Sequence, residues 1–186
     1  MSKTDLSIYN NDWYKPTIGA SRLKQVLWYF VNLFFLKSGW MPISRLRVFL
    51  LRLFGARIGK GVLIKPCVNI KYPWKLSVGD YSWIGEEVWI DNLAEVNIGK
   101  NVCLSQGAML LTGNHNYKKS TFDLQVKSIT LADGVWIGAK AVVCPGVRCD
   151  SHAVLSVLSV ANTHLEAYTI YQGNPAKPVR TRVIEK

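Results

Sequence analysis

From Ile58 onward an aliphatic residue, or once a cysteine, returns every six positions: Ile58, Ile64 and Ile70, then Val78, Ile84 and Ile90, then Ile98, Leu104 and Leu110, and finally Leu131, Ile137, Val143, Cys149 and Leu155. Most of these carry a small or β-branched residue four places on, such as Val68, Val88, Ala108 and Ala141, and Gly or Asp often follows directly. Neither a helical period nor strict alternation fits this spacing. It predicts an all-β solenoid: one short strand and one corner per hexad, three hexads per triangular coil, and coils stacked so that the aliphatics fill one continuous core. The small residue suits the crowded turn, and Gly and Asp tolerate its unusual backbone.

Three steps are longer. Ile70 to Val78 and Ile90 to Ile98 span eight residues, an excess that one corner absorbs, whereas Leu110 to Leu131 spans 21. An excursion over approximately residues 116–128 must therefore leave the solenoid, and long loops in compact repeats usually carry function.

Before the repeat, Val26 to Leu36 is almost wholly apolar. It is too short to span a bilayer, and apolarity all round predicts a buried helix. The next segment, Ser44 to Phe54, interleaves Arg45, Arg47 and Arg52 with aliphatics and reads as a basic amphipathic helix. Either the two helices cap the first coil, or they meet a membrane surface. The resulting division is an N-terminal helical region (1–56), a β-helix with its inserted loop (57–175) and a basic tail (176–186).

With 186 residues and 49% hydrophobic content, the chain holds one substantial core with an appendage. Its net charge of +11 favours an acidic partner: a phosphorylated cofactor, a nucleotide-linked sugar, an anionic membrane or a nucleic acid. The basic residues are scattered and form no recognition motif, which argues against nucleic acid. Cys67, Cys103, Cys144 and Cys149 form no CxxC pair and lie near no histidine at zinc spacing. Reduced thiols and, with no signal peptide ahead of the repeat, a cytoplasmic location are expected, with peripheral contact at the inner face of the cytoplasmic membrane if the amphipathic reading holds.

Of the three histidines, His115 stands where a hexad exits into the long loop, while His152 and His164 come later. An imidazole at that exit could accept a hydroxyl proton, or be an ordinary loop histidine. Three runs bear on the choice: Ile98 to Ala108 followed by Thr112-Gly113-Asn114-His115-Asn116-Tyr117, then Asp133-Gly134-Val135-Trp136-Ile137-Gly138-Ala139, then Gly173-Asn174-Pro175-Ala176-Lys177. Together they resemble the hexapeptide-repeat acyltransferases, especially the colanic-acid and exopolysaccharide O-acetyltransferases, and more distantly the galactoside and maltose acetyltransferases.

The resemblance implies a left-handed parallel β-helix, a homotrimer with active sites between adjacent prisms, and acetyl-CoA as co-substrate with no metal required. His115 matches the family's catalytic histidine. Trp136, Gly138 and Ala139 match its pantetheine-contacting strand, where Gly138 would let the ligand approach the backbone. Val157 takes the same place one coil later, and Lys177 and Arg180 match basic positions near the nucleotide phosphates. Asp91 and Asn92, one coil before His115, and its neighbours Asn114 and Tyr117 are candidate acceptor contacts. The implied acceptor is a hydroxyl of a sugar, a nucleotide-sugar or a lipid-linked glycan.

The chain also departs from that pattern. Thr163 stands where a phosphate-binding Lys or Arg is usual, and Leu155-Ser156-Val157-Leu158 replaces a Gly/Ala-rich hexad. Lys140, Lys177, Arg180 or Arg182 could compensate. Two other function classes compete: a metal-dependent hydratase on the same prism, which needs three converging histidines, and a non-catalytic membrane-associated assembly protein. A non-sugar acceptor such as an antibiotic is a further alternative.

Overall fold

The computed structural model describes residues 3–185. Three parallel faces form a prism. The first carries five strands, from Arg57–Ile58 to Arg148–Cys149, and the third also carries five, from Asn69–Ile70 to Val160–Ala161. Seven strands make the second face, from Leu63–Ile64 to Ala176–Thr181. Inward aliphatics stack in register, with Ile64 on Ile84, Ile84 on Leu104, Leu104 on Ile137 and Ile137 on Leu155. Every one of the fourteen six-spaced positions is buried. So are most of the small residues four places later, including Val68, Val88 and Ala108, so they pack the core as well as the turns. Burying an aliphatic side chain contributes roughly 1.5–3 kcal/mol, which makes this column the main source of stability.

The third residue after each inward aliphatic lies in the left-handed region, except after Ile70, Ile90 and Leu110, where the chain leaves the third face by a longer step. Gly61, Gly107, Gly134 and Gly146 occupy some of these corners, but Tyr81, Glu87, Lys140 and Leu158 occupy others. An L-residue pays of order 1 kcal/mol there. The corner amide is bonded to the preceding coil, as from Tyr81 to the Lys60 carbonyl and from Lys140 to the Gln106 carbonyl, both at 2.9 Å.

Helix α1 (Arg22–Val31) runs into a π-helical turn (Asn32–Leu36), and α2 (Ser44–Leu53) follows. Together they cover the open first coil. Trp28 and Leu36 are buried, the Trp28 indole donates to the Ile70 carbonyl at 2.9 Å, and Leu51 joins the core. Yet α1 is not the buried helix its composition predicts. Leu23, Val26, Leu27, Phe30 and Phe34 are all at least half exposed, because only one face of the helix meets the prism. Nor do all three α2 arginines form a polar face. Arg47 is fully buried and donates to the carbonyls of Phe35 and Met41, and Arg52 donates to those of Ile58 and Gly59.

Two boundaries also move. The excursion begins at Gly113 rather than Asn116, because Gly113–His115 pairs antiparallel with Leu124–Val126 as a hairpin arm. Residues 176–181, read as a tail, form an antiparallel strand on Thr169–Gly173 that closes the far end of the second face.

Candidate active site

All the surplus residues enter at one corner. Within each coil the steps from first to second face and from second to third are six residues, while the step from third face back to first is eight, eight, 21 and then six. Successive coils therefore stack Lys71 and Tyr72, then Asp91 and Leu93, then the hairpin, on one edge of the prism. Residues 3–20 cross this edge as a strap. The Asp5 amide donates to the Ser120 carbonyl at 2.9 Å, the Tyr14 hydroxyl to Leu93 at 2.7 Å and the Trp74 indole to Ile18 at 2.6 Å. Strap and corner enclose a cavity of about 960 Å³ lined by Tyr9, Tyr14, Lys15, Arg22, Gln25, Lys71, Tyr72, Asp91, His115 and neighbouring residues.

His115 is fixed within this cavity by Phe122. The two rings stack at 4.4 Å with an interplanar angle of 6°, and Nδ1 lies 2.9 Å from the Phe122 carbonyl. A carbonyl only accepts, so in the neutral ring Nδ1 carries the proton and Nε2 keeps its lone pair. Phe122 holds φ +49°, a conformation unfavourable for an aromatic residue, and thereby presents both its ring and its carbonyl to the imidazole. The Tyr9 ring also lies against the imidazole, tilted at 55° with its centroid 5.7 Å away.

Asp91 lines the same cavity and pairs with Lys71 at 3.0 Å. Asn92 does not reach it. Its side chain is wholly buried, and its amide both accepts from the Tyr72 N–H at 2.9 Å and donates to the Tyr72 carbonyl at 2.5 Å, holding two coils together. Asn114 accepts from the His115 N–H, and Tyr117 is exposed at the hairpin tip; neither lines the cavity. Lys75 is buried beneath it, donating to the Leu93 carbonyl at 2.6 Å, and burial pushes its ammonium below the usual lysine range. The strap residues Tyr9 and Tyr14 carried no sequence signal, because only a contact across some eighty residues brings Tyr14 to Leu93.

A second site lies on the second face. Trp136, Gly138, Ala139, Val157 and Arg180 line a groove of about 580 Å³ with Ser105, Val154, Ile170 and Arg182. Its floor is apolar, and two guanidinium groups lie along it. Trp136 is half exposed and anchored by its indole N–H to the Ser105 hydroxyl at 2.9 Å. At Gly138 the next coil leaves no room for a side chain. A Cβ there would meet the Val157 nitrogen at 2.6 Å, so glycine is required by the next coil. Lys140 and Lys177 do not line the groove, and Thr163 is exposed away from it. Arg182 donates to the carbonyls of Gly134 and His152 at 2.9 and 3.1 Å.

The two sites share no lining residue. His152 is committed to the Asp133 carbonyl and His164 to Asp150, so the histidines do not converge, and no cluster able to hold a metal ion occurs among the described residues. No described helix is long and apolar enough to cross a membrane.

No family model matches the chain. WcaF of Escherichia coli (strain K12), named as a colanic acid biosynthesis acetyltransferase, is 38% identical over 167 residues, covering 89% of this chain and 91% of WcaF. The chain belongs to the WcaF family of acetyltransferases. Galactoside O-acetyltransferase of Escherichia coli (strain K12) is 24% identical across 67% of the chain and 63% of its own length. In fold, the WcaF-type prism superimposes on the hexapeptide-repeat acetyltransferase VCA0836 of Vibrio cholerae, a structure complexed with acetyl-CoA. The TM-score is 0.79 at 22% identity, covering 96% of each chain.

Proposed function

We propose that the protein transfers an acetyl group from acetyl-CoA to a sugar hydroxyl in exopolysaccharide biosynthesis, with His115 as general base. The observation that carries this reading is the Nδ1 bond to the Phe122 carbonyl, which leaves Nε2 free on a residue lining the cavity. A bound acceptor hydroxyl gives its proton to Nε2 as its oxygen attacks the thioester carbonyl carbon. The tetrahedral intermediate collapses, the carbon–sulfur bond breaks, and the thiolate takes the proton back from the imidazolium. Holding both reactants in line supplies much of the rate. Asp91 accepts from the acceptor's hydroxyls.

The groove on the second face suits the donor. Pantetheine would lie against Trp136, Val154 and Val157, and Arg180 with Arg182 would meet the phosphates in place of the cation missing at Thr163. Because His115 and this groove lie on different faces, one copy cannot bring thioester and base together. A second copy must supply the groove, and closed threefold symmetry satisfies all copies equally, so the active species is a homotrimer. A monomer in light scattering at micromolar concentration, in a preparation that turns over, would overturn this arrangement.

The function is tested with acetyl-CoA and a panel of oligosaccharide and nucleotide-sugar acceptors, read by mass spectrometry. His115→Ala is expected to lower turnover by roughly 10²- to 10⁴-fold with acetyl-CoA affinity nearly unchanged. A variant that keeps more than about a third of turnover, with fold and trimer intact, would remove His115 from the mechanism.

A further inference from the structure

We propose that the outward faces of α1 and α2 dock the protein on an anionic lipid bilayer. Of the exposed residues on α1 and the π-helical turn, Leu23, Val26, Leu27, Phe30 and Phe34 are spaced as one helical stripe; Tyr29 and Leu33, Trp40, whose indole donates to the Phe34 carbonyl, and Phe49 and Leu53 on α2 are exposed as well. This stripe is not the capping surface. Capping falls to the opposite side, through Trp28, Leu36, Leu51 and Arg47, so the outer apolar face is surplus to the fold. Contiguous exposed apolar surface of this kind marks an interaction site.

Charge identifies the occupant. Between Asp12 and Asp80 the chain contains no acidic residue, while the same stretch holds 12 Lys and Arg, more than the entire net charge of +11. Only Lys15 and Lys71 among these 12 have a carboxylate partner within the described residues. Lys37 and Arg45 are exposed beside the stripe. A helix with an apolar face and a purely cationic surround lies in the headgroup plane of an anionic membrane, where lysine and arginine meet lipid phosphates while aliphatic and aromatic side chains enter the acyl boundary. A second copy is a poorer fit, because pairing would bring two acid-free cationic faces together. Arg22 and Gln25, on the inner side of α1, line the His115 cavity, so docking holds that cavity at the membrane surface.

The experiment is co-sedimentation of the full chain with phosphatidylcholine vesicles, with and without about one third phosphatidylglycerol, at low and high salt. Binding is expected only with the anionic vesicles and should fall at least tenfold at about 0.5 M salt, where the Debye length shrinks to a few ångströms. The triple variant Leu27→Ser, Phe30→Ser, Phe34→Ser should lose roughly 100-fold in partitioning. The pair Lys37→Glu, Arg45→Glu should lose more than tenfold. Both should keep the melting temperature and particle mass, since all five side chains point away from the fold. Failure of the wild-type chain to bind anionic vesicles, or equal binding by the triple variant, would overturn the proposal. A drop in particle mass in the triple variant would also overturn it and assign the surface to contacts between copies.

Discussion

Alanine at Gly138 probes the stacking of coils in the groove proposed for the donor. A Cβ there would lie 2.6 Å from the Val157 nitrogen, 2.7 Å from the Ser156 carbonyl carbon and 2.8 Å from the Leu155 oxygen, whereas ordinary contact begins at 3.4 Å. All three are backbone atoms, so no rotamer change relieves the clash and the neighbouring coil must move by about 0.6–0.8 Å. That coil is tied by the bond from the Gly138 amide to the Leu155 carbonyl at 2.7 Å and by the stacking of Ile137 on Leu155. Overpacking of this kind costs about 1–3 kcal/mol, and a weakened buried hydrogen bond adds about 1 kcal/mol, giving an expected loss near 3 kcal/mol. Gly107→Ala is the control. Its Cβ would meet only the flexible Lys140 side chain at 3.2 Å, so the cost is that of a left-handed alanine, about 1 kcal/mol. Urea unfolding of both variants measures the difference. Because Ser156 and Val157 line the groove, Gly138→Ala should also raise the KM for acetyl-CoA at least tenfold. Equal stability of the two alanine variants would show that the coils yield easily and that close stacking is not what requires glycine.

The adjacent residues Asp91 and Asn92 should separate cleanly. Asn92→Ala removes both bonds to Tyr72 and should cost about 2–3 kcal/mol in urea unfolding, while Asp91→Asn should change stability by less than about 1 kcal/mol and raise the acceptor KM in steady-state assays. Arg47→Met leaves the carbonyls of Phe35 and Met41 without a donor and should lower stability by about 2–3 kcal/mol, read by the same unfolding assay. Burial, and secondarily Asp150, pushes the Cys149 thiol up to about 12, whereas a free thiol ionises near 9. The folded chain thus keeps a proton that the unfolded chain loses. This contribution is fully present below pH 9 and is lost toward pH 12, at about 1.4 kcal/mol per unit. Stability curves at pH 8 to 10.5 should fall in the wild type and fall less steeply in Cys149→Ala, where the thiols of Cys103 and Cys144, also raised by burial, still contribute.

The solenoid was legible because an inward side chain must recur at every strand, and aliphatics at six-residue spacing announce that geometry without tertiary information. That His115 and Asp91 share one edge was legible for the same reason, since register stacks Asp91 on Leu111, four residues before His115. Other features depend on contacts that no local pattern encodes. An apolar run such as Val26–Leu36 does not say which side meets the prism, and Arg47 between aliphatics reads as a solvent face until the carbonyls it satisfies are known. Asn92 beside Asp91 carries the same polarity but the opposite orientation, as successive residues of extended chain must. Phe122 and the strap tyrosines escaped notice because a strained φ and a long-range packing contact leave no mark in composition. The left-handed corners at Tyr81, Glu87, Lys140 and Leu158 were hidden similarly, as glycine is the only clear sign of such backbone.

The uneven corner has a consequence for how this molecule can change. Two edges of the prism have no slack, so an insertion there would throw every later side chain onto the wrong face. The third edge already accommodates steps of six, eight and 21 residues without disturbing the alignment above or below. Length variation is therefore tolerated only where the cavity proposed for the acceptor is built, while the groove proposed for the donor sits on a face of fixed length. Selection can graft, trim or exchange whole segments at that edge to recognise new hydroxyl compounds and inherit the donor half unaltered, as interchangeable bits fit a single chuck.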